Sequence, residues 1–199
     1  SGRAAFEYLL KANNFNKVYL PLFTCDVMLE PIHKFKLGYE FYSINEDFKP
    51  KLDLNKIEAD SVFVYNNYFG INTANVNDVI NEKDKNIIID NSQAFYHINL
   101  IKKINAFYSP RKFFGIPDGG YLYSKSILND EFDRDVNTHK RFTHLIGRVN
   151  EGAEKYFTEF KENDNSLTNE PIKGMSVLTQ RLLQNINYEF VKKVRKENF

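Results

Sequence analysis

A single cysteine, Cys25, stands among the 199 residues, so no disulfide can join two points of this chain. That count suits a reducing compartment, and the expectation is a cytoplasmic protein. Tryptophan is absent, so the large apolar faces must come from aliphatic residues, 18 Phe and 12 Tyr, the last with a polar tip that needs a partner when buried. No apolar run approaches membrane-spanning length. Charge of one sign is also missing: 27 Lys and Arg against 26 Asp and Glu leave a net +1, and no global field draws the chain to nucleic acid or anionic lipid. His97, His139 and His144 have no metal-ligand spacing, and no Walker loop or Ser-His-Asp set stands out.

What the chain does have is alternation. Ala4 to Lys11 reads as a helix with Ala5, Phe6, Leu9 and Leu10 on one side. Val18-Tyr19-Leu20 reads as a short strand ended by Pro21, and Val27 to Phe35 has helical spacing with a start or kink near Pro31. Strands follow at Tyr39 to Ile44 and Ser61 to Asn66, with a short helix at Val76 to Ile80. Ile87-Ile88-Ile89 is a β-branched run of the kind buried on both faces, and Ala106 to Tyr108 and Tyr121 to Tyr123 complete the strands. This order predicts an α/β fold, a mostly parallel sheet flanked by helices, over residues 1–126. Residues 127–199 read as a helical segment packing on that domain. Glu131 to Lys161 is charged and helical, Asn163 to Ser166 is a break, and Met175, Leu178, Leu182, Ile186 and Phe190 mark one long amphipathic helix. Its uncapped end at Asn198-Phe199 predicts a further C-terminal portion.

Chemistry concentrates at strand ends, where open α/β sheets bind ligands. Lys112 follows the Ala106 strand and precedes Gly119-Gly120, and Asp90 ends the Ile87 strand, with Gln93 three residues on. A lysine able to form a Schiff base and a carboxylate able to hold a pyridinium nitrogen are the two groups that a pyridoxal 5'-phosphate (PLP) site needs most. Arg111, Phe113 and Phe114 could favour the deprotonated lysine. Taken alone, Asp90 fits equally well as a turn cap through Asn91 and Ser92, and Gln93 as a solvent-facing amide. Ser1-Gly2-Arg3 opens the first helix, where free amides can bind phosphate or Ser1 can simply cap the helix. Asn66 to Gly70 closes a strand and could line the same pocket.

Taken together, these residues resemble the DegT/DnrJ/EryC1/StrS sugar aminotransferase family. The resemblance rests on Gly2-Arg3 before a helix, Pro21-Leu22-Phe23-Thr24 after the first strand, Asp90-Asn91-Ser92-Gln93, Lys112 with Gly119-Gly120, and Met175-Ser176. It implies a fold-type I large domain and a homodimer using PLP. The implied reaction transfers an amino group, commonly from glutamate, to a keto-sugar nucleotide. By position, Lys112 would hold the cofactor and shuttle a proton, Asp90 would pair with the pyridinium nitrogen, and Gln93 would contact the ring. Gly2 and Arg3 would supply amides to the phosphate. The chain departs from the pattern at Cys25, where the family commonly has a ring-stacking aromatic, leaving Phe23 or Tyr68 for that role. Phe107 stands at the family's phosphate-binding serine, with Ser109 the substitute. Ile172-Lys173-Gly174 replaces a stretch that reaches the neighbouring subunit. Alternatives on the same scaffold are a PLP-dependent elimination or dehydration, and a non-catalytic protein retaining the fold.

Overall fold

Ser1 accepts a hydrogen bond from the Ala4 amide through its hydroxyl and so starts helix α1 (Gly2–Lys11). Here as throughout, the structure is a computed structural model, and it describes residues 1–83, 86–97 and 104–198. Helix α1 buries Ala5, Phe6, Leu9 and Leu10, the side that the sequence spacing marks as apolar.

Six strands form one sheet: β1 (Lys17–Pro21), β2 (Gly38–Tyr42), β3 (Ser61–Asn66), β4 (Ile87–Asp90), β5 (Asn105–Tyr108) and β6 (Tyr121–Tyr123). Their order is β2-β1-β3-β4-β5-β6. The first five are parallel, and β6 runs antiparallel against β5. The chain is therefore a mostly parallel sheet flanked by helices, as its alternation predicts.

Side-chain alternation sorts the strands onto two cores. Val18, Leu20, Val62, Val64, Ile88 and Phe107 face α1 and helix α2 (Leu29–Lys34). Tyr19, Phe63, Tyr65, Ile87, Ile89 and Ala106 face helix α3 (Thr73–Glu82). Each fully buried aliphatic side chain contributes about 1.5–3 kcal/mol to this packing. Pro31 sits in the first turn of α2, where a missing N–H costs no intrahelical bond, so the helix starts near it without a kink.

Beyond β6 the structure corrects three expectations. The stretch from Glu131 is not helical: Arg134 bridges to Gly174 in extended backbone, and the helix α4 (Thr143–Glu151) starts only after a 3-10 turn at Thr138–Arg141. Gly152, at φ +94°, ends α4 and separates it from α5 (Phe157–Ser166). Asn163 to Ser166 does not break the helix but forms the last turn of α5, because Asn163 is buried and donates to the Pro117 carbonyl (3.0 Å). The predicted single long helix is two, α6 (Val177–Gln184) and α7 (Tyr188–Glu197). Ser176 caps the first and Asn187 caps the second, and a cap at Asn187 forces a fresh start there. Phe199 lies outside the described residues.

The C-terminal segment is tied to the sheet domain by polar contacts. Tyr8 Oη accepts from the Leu128 amide (3.0 Å), and Lys11 pairs with Asp130. Asp118, buried just before Gly119-Gly120, accepts from Thr138 Oγ1 (2.7 Å), Thr179 Oγ1 (2.7 Å) and Arg141 (2.8 Å).

Candidate functional site

The C-terminal ends of β1, β3, β4 and β5 lie side by side, and every candidate site residue after Arg3 ends or follows one of them. The strand order reverses around β1, the arrangement that opens a crevice beyond strand ends in α/β sheets.

Asp90 is the last residue of β4 and is buried. Its Oδ1 accepts from the Ser92 amide at 2.7 Å, and among the described residues it makes no ion pair. Burial pushes its carboxyl above the ordinary value, opposed by hydrogen bonds from Ser92 and by the positive charge of Lys112. Lys112 closes the 3-10 turn Pro110–Lys112 after β5 and donates to Ser92 Oγ (3.4 Å). Ser92 thus stands between the acid and the amine, touching both.

The two groups line one cavity of about 100 Å³. Ser109, buried at the end of β5, and Gly2, at the start of α1, form another part of its wall. A Cβ at Gly2 would meet Ser109 Cβ at 3.4 Å and Ser109 Oγ at 3.7 Å, so glycine keeps this wall open. The first amides of α1 have no acceptor within the helix, and they lie where the helix dipole is positive. Gly120 packs from behind: a Cβ there would lie 2.5 Å from the Ser1 carbonyl oxygen.

The remaining predicted residues divide. Cys25 is exposed and lines the cavity. The Arg3 side chain turns toward Glu30 (3.0 Å) and Thr168 Oγ1 (3.1 Å), and its Nε is buried without a partner among the described residues. Gln93 accepts from the Phe69 amide (3.2 Å) and is not among the cavity-lining residues. That bond holds Phe69 at φ +55°, a strained value for a non-glycine residue. Phe23 is exposed and also outside the lining; it stacks on Tyr68 (5.6 Å, 11°), whose hydroxyl donates to the Phe23 carbonyl (2.9 Å). Neither ring is part of the cavity wall. Asn66 reaches Thr24 Oγ1 (3.1 Å), and its Oδ1 is buried without a partner among the described residues. Phe113 and Phe114 lean into a cluster with Phe95 and Tyr188.

Two contributors escaped the sequence reading. Ser92 reads in the sequence as a turn residue after Asp90. Asp164, from the last turn of α5, lines the cavity and pairs with Arg111 (2.6 Å). Nothing local in Asn163-Asp164-Asn165 distinguishes that carboxylate; only the packing of α5 brings it here.

No protein-family model matches the sequence, and no curated protein matches it. Solved structures do. These matches are all under 25% identical and show a shared fold. One match is NtdA from Bacillus subtilis with bound cofactor PMP: TM-score 0.50, 16% identity, 64% of this chain and 32% of that one. Another is DesI in the presence of its TDP-sugar product: TM-score 0.50, 15% identity, 63% of this chain and 36% of that one. The matched region is thus close to a third of each relative's length.

Proposed function

We propose that this chain is the cofactor-binding part of a PLP-dependent aminotransferase that moves an amino group from an amino acid such as glutamate to a keto-sugar nucleotide. The observation that carries the reading is one cavity at the ends of β4 and β5 lined by both Lys112 and Asp90. A buried carboxylate with no ion-pair partner among the described residues fits a cationic ring nitrogen, and a wall kept open by Gly2 beside Ser109 fits a phosphate. When bound, PLP supplies an electron sink for charge developing on the substrate carbon.

In this reading Asp90 holds a proton on the ring nitrogen through its carboxylate, and Lys112 Nζ anchors the cofactor and then moves a proton on and off the substrate carbon. Ser92 orients both groups, since its amide and hydroxyl already engage them. Amides of Gly2 and Arg3 with the Ser109 hydroxyl hold the phosphate. Phe23 and Gln93 act from the rim. The TDP-sugar seen by DesI supports a nucleotide-sugar acceptor. Exposed Leu22, Phe23, Phe69 and Ile71 on the loops after β1 and β3 support a homodimer formed around the site.

The test is an absorbance titration with PLP. The expected result is a visible band that bleaches on adding glutamate and is missing in Lys112→Ala. A band unaffected by that substitution would refute the reading. Turnover of a keto-sugar nucleotide that never requires an amino donor would replace transamination by elimination or dehydration.

A further inference from the structure

We propose that Arg111 is the cation that binds the cofactor phosphate, and that Asp164 competes with that phosphate for it. This rests on the PLP reading above and assigns a charge partner that neither the motif nor the fold supplies.

A phosphate dianion in a small cavity needs more than amide dipoles. Three cationic side chains among the described residues line this one: Arg3, Arg111 and Lys112. Arg3 pairs at 3.0 Å with Glu30, which does not line the cavity, and both side chains are largely buried, so the charge of Arg3 is held away from it; the partner of Arg111, Asp164, is on the cavity wall itself. Lys112 is directed to Ser92, beside Asp90, where the ring chemistry requires it. Arg111 remains. It follows Pro110, whose ring fixes the local backbone, and lies two residues from Ser109 in the same turn. Its guanidinium donates to Asp164 Oδ1 at 2.6 Å, through a single nitrogen. The carboxylate therefore offers Arg111 an oxygen anion within the cavity that a phosphate must enter.

Asp164 has a cost in that place. With Asp90 it makes two carboxylates on the wall of an anion site, and a phosphate beside it meets like charge. Entry of the phosphate is then an exchange of partners at Arg111. Release of Asp164 removes one tie on the end of α5 and leaves the other, the Asn163 bond to the Pro117 carbonyl in the Lys112–Gly119 connection. Cofactor binding is thereby linked to the seating of α5.

The experiment compares PLP with pyridoxal, which lacks the phosphate, in equilibrium titrations of wild type, Arg111→Gln and Asp164→Asn. Thermal shift with inorganic phosphate serves as a readout free of ring chemistry. Arg111→Gln is expected to weaken PLP about tenfold or more, the loss of one charge-assisted bond, and to leave pyridoxal within about twofold. Asp164→Asn is expected to tighten PLP several-fold and to enlarge the phosphate-induced shift. Should Arg111→Gln fail to fold, Asp164→Asn alone reads the competition. Equal losses for PLP and pyridoxal, or an Asp164→Asn protein that binds PLP no more tightly, would overturn the assignment while leaving the PLP reading intact. A wild type that binds neither PLP nor phosphate would defeat the parent reading instead.

Discussion

Burial of Asp90 has a cost that can be measured. Its carboxyl is raised by burial, so its ionisation costs folding free energy as pH climbs through the folded value, and the penalty vanishes below the unfolded value, where it is protonated in both states. Asparagine keeps the acceptor for the Ser92 amide and removes the charge. Asp90→Asn is therefore expected to be more stable than wild type at pH 7 in thermal melts, with the gain shrinking as pH falls toward the ordinary carboxylate range. The same protein should lose PLP affinity. A melting difference that does not change with pH would contradict this account. Gly2 makes the complementary case. Alanine there meets Ser109 at ordinary contact distance, so Gly2→Ala should fold as well as wild type and bind PLP more weakly, as titration would show.

At the scale of elements, the Asp118 cluster joins three separate segments: the residue before Gly119-Gly120, the turn at Thr138–Arg141, and α6. Asp118→Ala leaves Arg141 with Asp135 alone and strips two buried threonines of their acceptor. A loss of about 2–4 kcal/mol in urea denaturation is expected. Gly120→Ala would press a Cβ on the Ser1 carbonyl, and a loss of about 1–3 kcal/mol should accompany displacement of α1. The sheet was legible in the sequence because its signals are local. Ile87 to Ile89 is a β-branched run, and Ala5, Phe6, Leu9 and Leu10 share one helix side. The C-terminal third was not, for a physical reason. Asn163 to Ser166 has loop composition but gains a buried bond to Pro117, and the stripe from Met175 to Phe190 is interrupted by an asparagine cap at Asn187. Tertiary packing and capping overrode composition and periodicity there. Within the cavity, Lys112 and Asp90 stood out by their positions at strand ends, whereas the presence of Asp164 in its wall and the bond of Gln93 to the Phe69 amide depend on how other segments pack.

For the whole molecule, more than half of the surface of Leu22 (66%), Phe23 (59%), Phe69 (55%) and Ile71 (58%) is open on loops beside the site. Light scattering is expected to give a mass near twice the 23.4 kDa of the chain, falling to the single-chain value in a Leu22→Asp, Ile71→Asp double variant. A monomeric wild type would remove the homodimer from the proposal. The most direct test of the central claim is chemical trapping: PLP is added, the complex is reduced with borohydride, and the modified peptide is located by mass spectrometry. One cofactor fixed at Lys112, and none there in the Asp90→Ala protein at the same PLP concentration, is the predicted result. Labelling spread over the surface lysines, with Lys112 no more modified than its neighbours, would contradict it.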